Sequence, residues 1–484
     1  MNKDNRLQQI LDIGIALSTE KNIDILLYYI VDTAMNLTGS DGGTLYIVKD
    51  NTLSFKIMKT RSKNIDIGKN GEEIDIPPVP IKKENICAYS ALTKKSLNID
   101  DVYNSELFDF SGPKKYDEMN NYHTESMVAI PMVNHEDEVL GVMQLINAQD
   151  EDGNIRPYTI EEEKILNSLA SQTAIAISNV SYIEEINKQI WSFTSALTEA
   201  IDARTPYNGS HTRKVAEYSA LIIDRINNLY KEDKEDIYFD DDHKNQIIMA
   251  AYLHDIGKMI IPIEVMNKEN RLGEKTNQIE LRLENIGLRL KLDKEHGIIS
   301  ANELDEELLK VNKALEIIKT VNSIGFINDE LYNEIDMITK YKYENKQENV
   351  YIPYFNDDEI ECLKIRKGTL TDNERSIMES HVIMTERILS KVYFNAKYKD
   401  APKWAAQHHE CINGSGYPNK IQGDQLGIEA RILAVADICD ALLATDRPYK
   451  KPMPKDKAFA ILYSMADEGK IEKKLVDYLN ESLI

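Results

Sequence analysis

The nine histidines of this 484-residue chain are spread unevenly, and the informative ones stand beside carboxylates or beside each other. His254-Asp255 lies in AAYLHDIGK, an apolar helical segment that ends in glycine. His408-His409-Glu410 lies in WAAQHHECINGSGYP, His211 follows TPYNGS, and His381 sits in IMESHV. Asp437 and Asp440 lie three apart in AVADICDALLATDRPYK. Neutral imidazole together with carboxylate suits borderline divalent ions such as Mn²⁺, Fe²⁺ or Zn²⁺. A vicinal His-Asp pair can serve two ions, the carboxylate bridging and the imidazole binding on one side. Two ions about 3.5–4 Å apart would polarise a phosphoryl oxygen and activate a water for in-line attack. That is the chemistry of phosphodiester or phosphomonoester hydrolysis.

A single histidine on an apolar helix is ordinarily a core residue with its hydrogen bonds satisfied. The doublets differ. His254-Asp255 and His408-His409 each set two polar groups beside apolar helix residues, where burial without partners costs several kcal/mol. Coordination to a metal offsets that cost more readily than hydrogen bonding does. His123, His135, His243 and His296 stand among polar residues and are read as surface groups.

These residues resemble the HD-GYP family of HD-type phosphohydrolases. His254, Asp255, Gly257 and Lys258 match its first motif; His408, His409, Glu410, Gly414, Gly416, Tyr417 and Pro418 match its second. The flanking DARTPYNGSHTRKVAEYS and RILAVADICDALLATDRPYKKP agree, and the resemblance covers about residues 190–475 apart from an insertion. It implies an all-α domain that hydrolyses cyclic di-GMP through pGpG to GMP at a centre of two or three ions, commonly iron or manganese. The implied ligands are His211, His254, Asp255, His381, His408, His409 and Asp437, with Asp255 bridging. Lys258 would act beside the scissile phosphate, as a charge clamp or a proton donor. Arg447, Lys450 and Asp440 would contact substrate, the arginine holding phosphate by a fork and the lysine as a point charge. Gly414, Gly416, Tyr417 and Pro418 would shape a loop that serves as a site wall or a partner surface. Relatives with a third ion place a carboxylate shortly before the first histidine. Here Tyr207, Asn208, Gly209 and Ser210 stand there, with Asp202 the nearest acidic candidate, so two ions are expected.

The elements that must position these groups fall into two regions. Residues 1–182 read as an α+β unit. Leu7, Ile10, Leu11 and Leu17 share one face of an opening helix, with Gly14 on the same stripe. Hairpins are expected from Gly43–Val48 with Leu53–Lys59 around Asp50-Asn51, and from Ser126–Val133 with Glu138–Asn147. A helix over Ile160–Val180 opens with Thr159 and a first turn of glutamates. This order, with DVYNSELFDF and IPMVNHEDEVLGVMQLINAQ, resembles a GAF domain over about residues 5–182: an antiparallel sheet with flanking helices. Cyclic-nucleotide-binding GAF domains carry an N-K…F…D-E signature. This chain has Asn147 followed by Ala148, then Tyr158 and Glu161-Glu162, which does not support such a ligand and leaves another small molecule, or dimerisation alone, as alternatives.

No Gly or Pro interrupts the helical pattern until Pro206. Ile183, Ile186, Ile190, Phe193 and Leu197 form a coiled-coil seam, so residues 183–200 read as a linker that either packs on its own domain or joins two copies of the chain. Residues 201–484 read as the helical HD-GYP unit. Within it, residues 274–365 are rich in Glu, Lys, Asn and Leu and carry almost none of the motif residues. Leu304, Leu308, Val311, Leu315 and Ile318 predict a helical hairpin there, an insertion that could lid the site or bind a partner.

Composition sets outer bounds. Apolar residues make up 42% and charged residues 29%, which fits a globular chain of two to four domains. Lys and Arg number 58 against 81 Asp and Glu, a net charge of −23 that disfavours nucleic acid polymers and anionic membranes. No long apolar run predicts a membrane helix, and MNKDNRLQQ lacks the apolar core of a signal peptide. Cys87, Cys362, Cys411 and Cys439 are scattered without a C-x-x-C, the pattern of a reduced, cytoplasmic chain. The leading expectation is a metal-dependent cyclic di-GMP phosphodiesterase governed by a GAF domain. The alternatives are hydrolysis of another cyclic dinucleotide such as 3′,3′-cyclic GMP-AMP, or of a nucleotide monoester, and a silent adaptor acting through the Gly416-Tyr417-Pro418 loop.

Overall fold

The computed structural model describes residues 22–72, 74–204, 210–444 and 453–483. The opening stripe of Leu7, Ile10, Leu11 and Leu17, and the phosphate-binding candidates Arg447 and Lys450, lie outside them. The chain divides into two compact units, one up to Ile190 and one from Trp191 onward.

In the first unit, strands β1 (Ser40–Lys49), β2 (Thr52–Thr60), β3 (Ile65–Ile67), β4 (Val79–Pro80), β5 (Leu97–Ile99), β6 (Met127–Val133), β7 (Val139–Gln149) and β8 (Ile155–Arg156) build one antiparallel sheet. Its order is β3-β2-β1-β7-β6-β5, with β4 on β2 and β8 on β7. Asp50 and Asn51 both adopt positive φ, 48° and 60°, so their side chains suit the two-residue turn that closes the β1–β2 hairpin. Alternation along the strands feeds two cores. Leu45, Val128, Ile130, Met132, Met143 and Leu145 pack with the helix Ile23–Thr38 and with Leu166, Leu169 and Ala170. On the other cluster, Tyr46, Met127, Ala129 and Val142 pack with the helix Ile86–Thr93. The α+β architecture expected from the sequence is the one observed.

The helix that opens at Ile160 runs to Asp202, far beyond Val180. Thr159 and Glu162 close its first turn: Thr159 Oγ1 accepts from Glu162 N at 3.2 Å, and Glu162 Oε2 accepts from Thr159 N at 2.9 Å.

The second unit is mainly helical. It comprises helices His211–Lys231, Asp241–Leu253, Asp372–Leu389, Ala401–Ala405, Ile428–Leu443, Lys455–Asp467 and Lys473–Ser482 and a short 3₁₀ turn, Ile256–Ile260, that packs on Asp372–Leu389. The insertion is more than the expected helical hairpin. Helices Lys275–Glu295 and Ala301–Ser323 are joined by a third, Asp329–Ile338, and by a two-stranded ribbon, Lys342–Asn345 with Val350–Pro353. Tyr343 and Asn345 are buried on that ribbon while Lys342 and Glu344 face water. This period-2 pattern is too short to stand out in a Lys/Glu-rich stretch. The second unit is therefore not purely α-helical. The insertion has its own core, in which Ile279, Leu283 and Ile286 meet Val311, Ala314 and Ile318. At its root the buried Arg271 donates to the main-chain oxygens of Val321, Ile324 and Ile365.

Candidate metal centre

His254 caps the C-terminal end of the helix Asp241–Leu253, and Asp255 opens the 3₁₀ turn. A close approach fixes both. A Cβ on Gly257 would lie 1.8 Å from the His381 carbonyl oxygen, so only glycine lets the turn reach the helix Asp372–Leu389. Thr385 on that helix locks the contact, accepting from Gly257 N at 3.0 Å and donating to His254 O at 2.9 Å. Thr385 is fully buried, and no motif in the sequence singled it out.

Three imidazoles are oriented by one device. Nδ1 of His254, His381 and His408 meets the main-chain oxygen three residues earlier, on Ala251, Met378 and Ala405, at 2.6, 2.6 and 2.7 Å. A carbonyl only accepts, so the proton sits on Nδ1 and Nε2 presents a lone pair. Each Nε2 is buried without a hydrogen-bond partner, and so is Asp255 Oδ1. His211 is set differently: its Nδ1 lies 2.7 Å from Asp440 Oδ2.

Those three Nε2 atoms and His211 Nε2 converge on Asp255. Oδ2 faces Nε2 of His254 at 3.1 Å and of His211 at 3.4 Å. Oδ1 faces Nε2 of His381 at 3.5 Å and of His408 at 4.0 Å. Asp437 stands beside them, Oδ1 at 3.3 Å from His211 Nε2 and Oδ2 at 3.9 Å from His409 Nδ1. Two acceptors gain nothing from facing each other unless a cation lies between them. Ligand atoms about 2.1 Å from a shared ion stand roughly 3.0–3.4 Å apart for bond angles between octahedral and tetrahedral. The tighter separations fit that spacing. His211, His254 and Asp255 form one ligand group and His381, His408 and His409 another, with the two carboxylate oxygens of Asp255 turned one to each. The donor set therefore fits divalent metal.

The electrostatics agree. Burial works to raise the Asp255 carboxyl, but the positive field of its neighbours, the Lys258 ammonium and His211 among them, holds it well below the usual carboxylate range. Burial pushes down the imidazoles of His381, His408 and His409, the last to about 4, keeping them neutral. His211 moves the opposite way: burial is outweighed by Asp255, Asp437 and Asp440, which draw positive charge toward this end of the cluster. A divalent ion held there would supply that charge.

Lys258 Nζ lies 2.6 Å from Asp255 Oδ2 and, with His211, His409, Asp437, Asp440 and Ala441, lines a cleft of about 170 Å³. Burial disfavours its charge, yet Asp255, Asp437 and Asp202 raise its pKa, so it stays protonated. Asp440, expected to touch substrate, lines the cleft but has Oδ2 engaged by His211. Asp202, the nearest acidic candidate for a further ion, is buried and accepts from Thr212 Oγ1 at 3.2 Å.

The loop after His409 is shaped as its residue types suggest. Gly414 has φ +76°, and a Cβ on Gly416 would lie 2.4 Å from Cys411 N. The Tyr417 ring rests 4.8 Å from that of His409, ahead of a cis peptide to Pro418. Glu410, buried beside the histidines, accepts from Asn419 N at 2.7 Å and Ile421 N at 3.0 Å and so ties the loop back. Of the histidines read as surface groups, His123, His135 and His296 are exposed. His243 is half-buried, 3.0 Å from Glu429 Oε1 and stacked on Trp404.

In the first unit, the positions aligned with the cyclic-nucleotide signature are engaged locally. Asn147 accepts from Glu125 N and donates to His123 O and Tyr122 OH. Tyr158 OH pairs with Ser40, and Glu162 with Arg156. Among the described residues, no helix is long and apolar enough to cross a membrane, and all four cysteines are free.

Comparison with known proteins agrees with this division. The GAF domain family matches residues 22–177, and HD domain families match residues 208–331 and 358–475. A 3′3′-cGAMP-specific phosphodiesterase of Vibrio cholerae is 40% identical over 97 residues, 20% of this chain and 20% of that protein. A cyclic di-GMP phosphodiesterase response regulator of Xanthomonas campestris is 39% identical over 116 residues, 24% of this chain and 30% of that protein. The chain thus spans less than a third of the length of either relative. The solved GAF domain of an Acinetobacter phosphoenolpyruvate-protein phosphotransferase aligns over 38% of this chain and 99% of its own, at 13% identity and a TM-score of 0.29. The chain carries a GAF domain followed by an HD domain.

Proposed function

We propose that the protein is a metal-dependent phosphodiesterase of the HD-GYP type that hydrolyses cyclic di-GMP to pGpG and/or GMP under the control of its GAF domain. Residues 1–182 would form the sensory domain, 183–200 the linker, and 201–484 the hydrolase with its insertion. The observation that carries the reading is the convergence of the unpartnered imidazole nitrogens of His254, His381 and His408 on the two oxygens of Asp255. His211, His254, Asp255, His381, His408, His409 and Asp437 would hold two ions, iron or manganese by preference. When bound, such ions supply Lewis acidity and an activated water for attack on phosphorus. Lys258 offers an ammonium N–H, one-fifth exposed into the cleft, to a phosphate oxygen or to the departing ribose oxygen. The cleft admits a phosphodiester group; the rest of a dinucleotide would lie outside it, within reach of the Tyr417 ring that rests on His409.

The test is to load purified protein anaerobically with Fe²⁺ or Mn²⁺ and follow pGpG and GMP from cyclic di-GMP. Turnover is expected; none with the site metallated rejects the reading. A second substrate, 3′,3′-cyclic GMP-AMP, is favoured by the name of the Vibrio relative, because metals read phosphate rather than base. Rates measured side by side decide between them. If signalling in the cell survives the paired changes His254→Ala and Asp255→Ala, the adaptor reading through the Tyr417 loop wins instead.

The linker would also join two copies of the chain. Ile183, Ile186 and Phe193 are 60%, 52% and 67% exposed, and the flanking positions Asn187, Gln189, Thr194 and Ala196 carry no charge to oppose parallel pairing. Ile190→Lys is expected to give monomers by light scattering; an unchanged dimer places the contact elsewhere.

A further inference from the structure

We infer that Arg204 is a positioning residue for Lys258, so that the C-terminal end of the helix Ile160–Asp202 sets the place of the lysine in the cleft. The inference rests on the hydrolytic reading of the Asp255 centre and names a means of regulating it.

Arg204 follows that helix by two residues. Its Nη1 donates to Lys258 O at 3.0 Å and to Met259 O, and its Nη2 donates to Ile261 O at 3.2 Å. All three acceptors belong to the 3₁₀ turn that presents Lys258, or to the residue that caps it. Carbonyls at the end of so short a turn run beyond its own i→i+3 bonds, Lys258 O accepting from Ile261 N as well, and a rigid guanidinium fork can serve several at once. Main-chain bonds close the turn at both ends, Lys258 N to Asp255 O at 2.9 Å and Ile261 N to Lys258 O at 3.2 Å. Arg204 is itself tied, its carbonyl accepting from Asn267 Nδ2 at 3.3 Å.

The helix end is seated on the same segment of chain. The buried Thr198 donates through Oγ1 to Tyr252 O at 3.1 Å, two residues before His254. Trp191 meets the rings of Tyr252 and Tyr398 edge-on. One element therefore grips residues 252–261 on both sides of His254-Asp255. The metal-ligand candidates have further anchors, through Thr385 and the main-chain bonds of their imidazoles. Among the described residues, the hydrogen bonds of Lys258 are those of its turn, of Arg204 and of Asp255. A shift of the helix end acts first on Lys258, and a displacement of about 1 Å in a reacting group costs about a hundredfold in rate.

The full-length, metal-loaded protein tests this in two ways. Arg204→Ala should lower kcat on cyclic di-GMP between about tenfold and a hundredfold, with KM and metal content unchanged and partial recovery in Arg204→Lys. In a Lys258→Ala background the same change should cost less than about twofold, because the two residues act as one unit. An equal loss in both backgrounds overturns the inference. Amide exchange, read without substrate, is independent of turnover. Arg204→Ala should speed exchange at Lys258 and Ile261 by at least about tenfold while leaving the helix Asp372–Leu389 unchanged. Unchanged exchange at those two amides overturns the inference whatever the activity. A protein that shows the exchange effect but no turnover contradicts the hydrolytic reading alone.

Discussion

Two buried carboxylates of the first unit and three buried imidazoles of the second stand in opposite polar surroundings. In the GAF domain, Asp41 accepts from Ser62 N, Ser62 Oγ and Tyr122 OH at 2.9, 2.6 and 2.6 Å. Asp117 accepts from Thr124 N, Thr124 Oγ1 and Tyr103 OH at 2.8, 2.8 and 2.9 Å. Each carboxylate is answered on both oxygens, which makes these networks structural. In the HD domain, three buried imidazoles spend Nδ1 on the main chain and leave Nε2 without a partner, all facing one carboxylate. Burial alone does not separate a working site from a scaffold. An unanswered, convergent set of lone pairs does.

This contrast can be broken by removing groups on either side of it. The largest effect is expected from Asp255→Ala, which takes away the acceptor common to both ligand groups: turnover should fall at least about a thousandfold. The folded state should persist, because the change removes a buried charge held among cation-seeking groups, and circular dichroism with the assay checks both. Thr385→Val should come next. It frees Gly257 N and His254 O and should weaken metal affinity about tenfold to a hundredfold, measured by competition with a chelator. Asp440→Asn, behind His211, should act in the same range. If neither supporting residue alters metal affinity, the imidazoles are not held for coordination.

On the other side, Asp41→Ala should take the acceptor from the Ser62 N–H and hydroxyl and from the Tyr122 O–H, costing about 1–3 kcal/mol of stability in the GAF domain with metal content untouched. The smallest effect is a pH dependence. Burial opposes the charge on Glu162, but Arg156 and Thr159 outweigh it and lower its pKa below 4.5. A lowered folded-state pKa means that the stabilisation is present above about pH 4.5 and is lost as pH falls through the folded value. Melting curves of the unaltered protein and Glu162→Gln should therefore differ at neutral pH and converge in acid. A constant difference across that range would show that the pair contributes by packing alone.

Much of this was legible in the residues themselves. The doublets His254-Asp255 and His408-His409 put chemistry on adjacent positions, where spacing reveals it. The hairpins carried turn residues suited to positive φ, as at Asp50 and Asn51. What escaped notice acts across long separations. Thr385 matters because Gly257 comes against its helix, and Arg204 because its fork meets the carbonyls of a turn more than fifty residues away. Glu410 was visible as part of a motif, but its role as a clamp on Asn419 and Ile421 depends on main-chain N–H groups, which leave no mark on side-chain patterns. The ribbon in the insertion was hidden by charge: only Tyr343 and Asn345 face inward, too few for alternation to emerge.

Metal stoichiometry bears most directly on the central claim. Protein purified anaerobically and equilibrated with Fe²⁺ or Mn²⁺, then freed of loose ions, is expected to retain two ions per chain by elemental analysis, and Asp255→Ala is expected to lose them. Retention of no metal by the unaltered protein, or the same metal content in Asp255→Ala, would contradict it.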